Sequence, residues 1–133
     1  MVAKPKRIGL VACCKTKAAT RHPARFLYRS QLFKMALQYA VLTCDEVYIL
    51  SAKYGLVALD QQIEPYELTL NGMGKQERLQ WAKSIKLPPG QYVYFAGARY
   101  REFLPPGEVP MQGLKIGHQL QWLKEKLKSA ISY

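Results

Sequence analysis

The sequence predicts a small three-layer α/β/α domain with a mostly parallel sheet. Short apolar runs typical of buried strands alternate with amphipathic helical stretches, and Gly and Pro separate them. This alternation indicates βαβ units, in which consecutive strands run parallel. The length of 133 residues suits one domain. We therefore expect a single domain over residues 1–133.

Three apolar runs predict the strands. Residues 7–12 (Arg-Ile-Gly-Leu-Val-Ala) are apolar after the first position, as in a strand that is buried on both faces. Residues 46–50 (Glu-Val-Tyr-Ile-Leu) and 91–96 (Gln-Tyr-Val-Tyr-Phe-Ala) are rich in β-formers. Residues 13–23 are expected to form a basic loop. Residues 56–70 are expected to be irregular, with room for one short strand.

Helical spacing of apolar residues predicts the helices. The first begins at residue 24 or 30 and ends at residue 42, and the second spans residues 75–87. A short helix is expected from Gly97 to Leu104, and a final amphipathic helix covers residues 116–131. The predicted inward positions of the first and last helices are Phe33, Leu37, Ala40 and Val41, and Leu120, Leu123, Leu127 and Ile131.

The charge of the chain points to a polyanionic partner. Its 20 Lys and Arg residues against 9 Asp and Glu give a net charge of +11. Such an excess attracts nucleic acid, the commonest polyanion that a basic domain meets. The alternative is a basic protein whose charge only maintains solubility. The sequence favours nucleic acid or a nucleotide as partner.

The sequence also predicts the compartment. Residues 1–7 lack the apolar stretch of a secretory leader, and no apolar run reaches the ~20 residues of a membrane span. The three cysteines are an odd number and two are adjacent, which does not suggest a disulfide framework. A cytoplasmic protein without membrane contact is expected. The oligomeric state stays open.

Three strand-to-loop junctions define the predicted site. They lie at residues 13–17, 51–55 and 97–100, and each carries a small residue, a cation or both. Ligands of open parallel sheets bind beyond the carboxyl ends of the strands. We therefore expect Cys14, Ser51 and Gly97 at neighbouring strand ends, with a phosphate-binding crevice beside them. The predicted nucleic-acid or phosphate contacts are Cys14, Lys15, Lys17, Ser51, Tyr54, Gly55, Tyr66, Gly97, Arg99 and Tyr100.

Other short patterns predict neither a cofactor nor a metal. Gly72-Met-Gly-Lys75 is not a Walker A motif, because Gln76 stands where that motif has Ser or Thr. His22 and His118 have no partner at metal-ligand spacing. Cys13 is either a reactive thiol in a basic loop or, as the more usual reading, a small buried side chain.

The segment Glu64-Pro-Tyr-Glu67 offers two interpretations. A carboxylate that faces a basic crevice can activate water, and a tyrosine can stack on a base. Alternatively, Glu64 or Glu67 pairs with Lys53 or Arg99 and only holds the loop.

Two central motifs carry a family resemblance. The segments Tyr48-Ile-Leu-Ser-Ala-Lys-Tyr-Gly-Leu-Val57 and Ile63-Glu-Pro-Tyr-Glu-Leu-Thr-Leu70 resemble the hallmark of YaaA-like proteins, in which a strand ends in Leu-Ser-x-x-Tyr-Gly and a Pro-Tyr-x-Leu segment follows. Short bacterial and phage relatives of that family are similar at further motifs. These are Cys14-Lys-Thr-Lys17, Ala24-Arg-Phe-Leu-Tyr28, Ala96-Gly-Ala-Arg-Tyr100 and Gly113-Leu-Lys-Ile-Gly-His-Gln-Leu120.

The resemblance implies a mixed α/β fold and DNA binding, with DNA favoured over RNA. The chain also has a distant similarity to a domain suspected in archaeosine-type tRNA modification. By analogy, this similarity implies chemistry on a nucleobase. The expected function is nucleic-acid-directed base processing, as an N-glycosidase or a lyase of modified bases. The expected catalytic residue is Glu64 or Glu67, which would activate water, or alternatively Lys53, which would form a Schiff base.

Two other functions fit the same residues. One is a non-enzymatic DNA or RNA binder that uses the crevice and the lysines of the last helix, Lys124, Lys126 and Lys128. The other is an enzyme acting on a small nucleotide. Binding that depends steeply on salt separates the first two functions from the third. Only a base-processing enzyme leaves an abasic or cleaved product.

Overall fold

A computed structural model describes residues 4–131 of the chain, excluding the side chain of residue 131. Residues 1–3, which belong to the segment considered for a leader sequence, therefore lie outside the described residues. The side chain of Ile131, predicted to point inward, lies outside them as well. The elements are β1 (Arg7–Ala12), β2 (His22–Pro23), α1 (Ala24–Leu27), α2 (Gln31–Thr43), β3 (Glu46–Ser51), β4 (Gly55–Ala58), β5 (Gln62–Ile63), a 3₁₀ turn (Leu70–Gly72), α3 (Lys75–Ser84), β6 (Gln91–Phe95), α4 (Ala98–Arg101) and α5 (Ile116–Ile131).

The main sheet is mixed and has the strand order β4-β3-β1-β6. Both neighbours of β1 run parallel to it, as the sequence predicts. Strand β4 runs antiparallel to β3, which the sequence did not predict. The connection between them is only three residues long, and a parallel pairing needs a crossover of a dozen residues or more. Gly55, at φ +75°, completes this tight turn.

Helix α2 covers one face of the sheet at close range. A Cβ atom on Gly9 of β1 would lie 3.1 Å from the Cys44 Sγ and 3.4 Å from the Ala40 Cβ, so the absence of a side chain at Gly9 permits this approach. Helix α2 also packs against α5. The Tyr39 ring joins the layers, because it makes edge contacts with Phe95 of β6 and Trp122 of α5.

The later of the two predicted starts of the first long helix, at residue 30, is confirmed, and residues 24–27 form a separate short helix. The backbone at Tyr28 is extended and ends α1, and α2 begins after Ser30, whose hydroxyl accepts a hydrogen bond from the Phe33 N–H at 3.1 Å. This N-cap satisfies one of the free N–H groups of the new helix. Val41 is 50% exposed, so its predicted inward position is wrong.

The last helix matches its predicted bounds, and α3 is shorter than predicted. Leu123 and Leu127 of α5 are buried and Leu120 is half-buried, which confirms the inner face over these positions. Helix α3 ends at Ser84 instead of residue 87, because the backbone turns extended at Ile85 before Pro88 and Pro89.

A short segment covers the free edge of β6. The Tyr94 N–H donates to the Glu108 carbonyl at 2.8 Å, and the Glu108 N–H donates to the Tyr92 carbonyl at 2.9 Å. The segment approaches so closely that a Cβ on Gly107 would lie 2.5 Å from the Tyr92 oxygen. Only glycine fits there without a backbone shift.

Candidate functional site

Three strand ends meet at one edge of the sheet. Ser51 is the last residue of β3, Cys14 follows β1, and Gly97 follows β6. Strand β1 lies between the other two, and all three run parallel. The predicted neighbourhood of Cys14, Ser51 and Gly97 is therefore confirmed.

A buried hydroxyl cluster, formed by Tyr28, Ser51 and Tyr66, lies behind this edge. The hydroxyls of Tyr28 and Tyr66 share a hydrogen bond of 2.5 Å, and the Ser51 Oγ donates to the Tyr66 hydroxyl at 2.7 Å. The Ser51 Oγ also accepts hydrogen bonds from the N–H groups of Tyr54 (3.0 Å) and Lys53 (3.3 Å). Ser51 thus fixes both the cluster and the turn that follows β3.

The thiol of Cys13 joins this cluster to the sheet edge. Its Sγ lies 3.2 Å from the Tyr100 hydroxyl, and the thiol also lies near Tyr66, whose pKa it raises. Tyr100 is 7% exposed, and its ring meets the Trp81 ring edge-on at 5.8 Å between centroids. A thiol between two phenols is a polar group that is held in place and carries no formal charge in its protonated form.

Burial keeps the phenols protonated. It raises the pKa of Tyr28 to about 12, although hydrogen bonds from Tyr66 and Ser51 act in the opposite direction. Burial raises the pKa of Tyr66 and Tyr100 as well, and the neighbouring Cys13 adds to both shifts. These hydroxyls are therefore neutral hydrogen-bond donors at neutral pH.

A cavity of about 500 Å³ opens at the carboxyl ends of β1 and β6. Its polar lining consists of thiols, hydroxyls and amides, and Arg101 is the one charged residue among the described residues that line it. The Arg101 Nε donates to the Ala96 carbonyl at 2.9 Å, which fixes the guanidinium at the wall. The lining residues with polar side chains are Cys13, Cys14, Ser30, Asn71, Tyr94, Tyr100, Arg101, Gln112 and Gln119.

Cations are in excess around this cavity. The two acidic residues adjacent in sequence to its lining each face an arginine: Glu102 lies 3.2 Å from Arg78, and Glu108 lies 3.2 Å from Arg7. Lys15 and Arg99, which flank the lining segments, are exposed. The site therefore combines a neutral polar interior with a basic surround.

A separate groove of about 430 Å³ lies between the β3–β4 turn and the end of α3. It contains the predicted residues Lys53, Tyr54 and Gly55. The Lys53 ammonium lies 5.3 Å from the centroid of the Tyr54 ring. The groove is lined by Lys53, Tyr54, Gly55, Leu56, Trp81, Ser84 and Lys86.

The structure divides the predicted binding residues among several places. Cys14, Gly97 and Tyr100 line the cavity, and Arg99 lines a third, shallower depression with Glu102. The ammonium of Lys17 lies 4.4 Å from the centroid of the Tyr66 ring. The predicted cations Lys15, Lys17, Lys53 and Arg99 thus share no single crevice, because none of them lines the cavity and Lys53 lines the separate groove. Lys53 lies in the tight turn between β3 and the antiparallel strand β4, and the sequence did not predict that pairing.

The two predicted catalytic carboxylates lie away from the cavity lining. Glu64 and Glu67 are exposed, and within residues 4–131 neither forms an ion pair with Lys53 or Arg99. The loop is held instead by the Tyr66 hydroxyl and by the Tyr54 hydroxyl, which donates to the Glu64 carbonyl at 3.4 Å. The catalytic roles of Lys53, Glu64 and Glu67 stay predictions.

Sequence reasoning missed most of the residues that line the cavity. Cys13 carried a signal, because it ends a buried strand in a basic loop, but packing was the favoured interpretation. Asn71, Gln112 and Gln119 come from three different segments, and their convergence has no signature in the sequence. Across residues 4–131, no three His, Cys, Asp or Glu side chains converge as metal ligands, and no helix is long and apolar enough to cross a membrane.

Together these features define a mixed α/β protein with a ligand-sized cavity at the carboxyl edge of its parallel strands, where proteins of this class bind ligands. Residues 8–125 match the model of a family of unknown function (DUF6884), and the chain belongs to that family. Comparisons with curated proteins and with solved structures gave no match.

Proposed function

We propose that this protein binds nucleic acid and processes one base, which it holds in the cavity at the sheet edge. The observation that carries the proposal is the contrast between the neutral lining of the cavity and the basic surface around it. A nucleobase is neutral and polar, whereas the phosphates that accompany it need cations. The proposal keeps DNA ahead of RNA as the partner.

Three further predictions from the sequence are part of this proposal. They are a three-layer α/β/α arrangement, a relationship to YaaA-like proteins and a cytoplasmic location. The packing of α2 on β1 supports one outer layer of helix. The hydrogen bond from Trp81 in α3 to the Ser51 carbonyl places a second helix beside the carboxyl end of β3.

The amide groups of the cavity suit the edge of a base. The Gln119 Nε2 donates to the Leu114 carbonyl at 2.7 Å, so the side-chain oxygen keeps its capacity to accept a hydrogen bond. Gln112 and Asn71 contribute further amides, and both are exposed at the cavity. Paired donors and acceptors of this kind match the donor and acceptor pattern of purines and pyrimidines.

Base release by hydrolysis is the reaction we propose. The bond between the base nitrogen and C1′ of the sugar breaks, a water oxygen bonds to C1′, and the water proton neutralises the departing base. The Tyr100 hydroxyl lines the cavity and stays protonated because burial raises its pKa, and a neutral donor of this kind stabilises charge that develops on a leaving base. The sequence predicts two other catalytic mechanisms, which stay alternatives. They are activation of water by Glu64 or Glu67 and nucleophilic attack by Lys53.

The test is a search for released base. The protein is incubated with oligonucleotides that carry different modified bases, and the free base and the abasic strand are measured by mass spectrometry. Tyr100→Phe is expected to lower the rate at least tenfold, because it removes a donor at the reacting group. Tyr48→Phe is the matched control, since it removes a hydroxyl whose hydrogen-bond partner among residues 4–131 is Glu46 on the sheet. No release from any substrate, or an equal loss in both variants, would contradict the proposal.

A non-enzymatic binder is the second candidate, and the outer face of α5 favours it. Lys124, Lys126 and Lys128 are all exposed there. Such a surface binds the backbone of nucleic acid without reading bases. In a salt titration with a labelled oligonucleotide, both candidates predict a steep fall of log affinity with log salt. A flat response would count against both, and an intact product would leave only the binder.

A further inference from the structure

The groove beside the β3–β4 turn has the chemistry of a binding site that is separate from the cavity. Two exposed lysines, Lys53 and Lys86, flank it. Within residues 4–131 neither lysine takes part in an ion pair, and no Asp or Glu lines the groove. The groove therefore presents unneutralised positive charge to a ligand.

Aromatic surface lines the same groove. Tyr54 is half-buried, and its hydroxyl donates to the Glu64 carbonyl while its ring meets the Tyr66 ring edge-on at 5.6 Å. These contacts hold the ring in one orientation, so little side-chain entropy is lost when a planar group stacks on it. Cations next to a fixed aromatic ring match the alternation of phosphate and base in a single strand.

The groove is physically connected to the cavity. The Trp81 Nε1, at the groove, donates to the Ser51 carbonyl at 2.9 Å. The Trp81 ring also contacts the ring of Tyr100, which lines the cavity. Two packed side chains, Trp81 and Tyr100, therefore lie between the lining of the groove and the lining of the cavity.

We propose that this groove binds the unpaired strand that flanks the base in the cavity, so that the protein acts on single-stranded nucleic acid. Lys53 and Lys86 hold phosphates, and Tyr54 stacks on a neighbouring base. The link to the cavity rests on the proposed function, whereas the affinity of the groove for a single strand does not. Assigned in this way, Lys53 is a charged phosphate ligand.

The first test compares two charge-matched double variants. Lys53→Gln with Lys86→Gln removes two charges from the groove, and Lys124→Gln with Lys128→Gln removes two exposed charges from α5. Binding of a fluorescein-labelled thymidine 12-mer is followed by anisotropy over a series of salt concentrations. The groove variant is expected to lose about five- to thirtyfold in affinity. Its salt slope is expected to fall by about 1.4, for two lost phosphate contacts on a single strand.

The α5 variant shows whether the affinity depends on the position of the lysines or only on the total charge of the protein. An equal loss in both variants, or an unchanged salt slope in the groove variant, would overturn the proposal. A duplex of the same length serves as competitor, and it is expected to lose less affinity than the single strand when the groove lysines are changed. Equal losses for the two ligands would also count against a groove that is specific for a single strand.

The aromatic ring has its own test. Tyr54→Ala is expected to weaken binding of the 12-mer about 5- to 150-fold, the effect of one lost stacking contact, whereas Tyr54→Phe is expected to keep it. Thermal unfolding of both variants shows whether they are folded at the binding temperature. In a Trp122→Phe background, fluorescence reports Trp81 alone, so a change on addition of the 12-mer that is lost when Lys53→Gln and Lys86→Gln are added places the strand at the groove. No change in that fluorescence would oppose the proposal.

The outcomes separate this proposal from base processing. Weaker single-strand binding in the groove variant without base release by the parent protein would keep the groove and remove the enzymatic function. Base release that is unaffected by the groove variant, together with unchanged binding, would keep the function and remove the groove.

Discussion

The cavity and the groove lie on either side of the contact between Tyr100 and Trp81, yet they are built from different chemistry. The cavity presents thiols, phenols and amides with one arginine, and the groove presents two exposed lysines and an aromatic ring. Burying a charge costs far more than burying a hydrogen-bonded hydroxyl, which suits the buried phenols Tyr94 and Tyr100 at the cavity wall. Lysine carries no such cost where its ammonium stays hydrated. The difference teaches that one small domain can keep a mostly neutral cavity and a basic groove apart although they lie beside each other.

Alkaline pH is expected to weaken the interior most. The buried Tyr28 has its pKa raised to about 12 from an ordinary value of 10, so the fold favours the neutral phenol. Between pH 10 and 12 the unfolded chain loses this proton first, and the free energy of unfolding falls as the pH rises. The pKa difference of about 2 corresponds to about 3 kcal/mol for this residue. At pH 11, midway between the two pKa values, about half of this is lost, so urea unfolding at pH 8 and at pH 11 is expected to differ by about 1–2 kcal/mol, and equal stability at the two values would contradict the expectation.

A matched pair of Tyr→Phe variants sharpens the comparison. Tyr66→Phe leaves the buried hydroxyls of Tyr28 and Ser51 without their shared partner, so we expect a loss of about 1–3 kcal/mol in the free energy of unfolding. Tyr54→Phe removes only a long hydrogen bond at the exposed groove and is expected to stay within about 0.5 kcal/mol of the parent. Denaturant unfolding of both variants is the measurement. Similar losses would show that the groove tyrosine is as tightly bonded as the interior one.

These tests concern residues that the sequence revealed to different degrees. Strand β1 and helix α5 were predictable to the residue, because their apolar patterns are long and clear. Strand β4 was not, because four residues after a tight turn carry little periodicity. The cluster of Tyr28, Ser51 and Tyr66 joins positions up to 38 residues apart, and no local pattern encodes that contact. The strand ends could be placed from topology alone, whereas the cavity between them could not.

Two glycines allow the backbones of the two sites to be compared. Gly55 in the groove has φ +75°, and an added Cβ would lie 3.2 Å from the Ile85 Cδ1, so Gly55→Ala is expected to cost about 1–2 kcal/mol. Gly97 at the cavity has φ −68° and open space at the same point. Gly97→Ala is therefore expected to change the free energy of unfolding by no more than about 0.5 kcal/mol. Thermal unfolding of the two variants checks the order, and a reversed order would contradict it.

The smallest effect is expected for Lys53→Arg. A phosphate ligand needs charge, which arginine supplies, so affinity for a single-stranded oligonucleotide is expected to stay within about twofold. A Schiff-base nucleophile would behave differently, because arginine cannot form the adduct. Borohydride treatment in the presence of oligonucleotides with modified bases separates the roles. A trapped adduct that disappears in Lys53→Arg would make Lys53 the nucleophile and would remove the contrast between a reactive cavity and a binding groove.

The cover of β6 by Glu108 has a consequence for the behaviour of the protein in concentrated solution. An uncovered outer strand is a template on which a second chain can add its own strand, and such growth leads to aggregates. The backbone bonds to Tyr92 and Tyr94 occupy that template within the same molecule. Gly107 makes the cover possible, because any side chain at that position would meet the Tyr92 oxygen. A larger residue there would displace the segment and expose the unpaired edge of β6. We therefore expect a Gly107→Val variant to aggregate at concentrations at which the parent protein stays in solution, as light scattering would show.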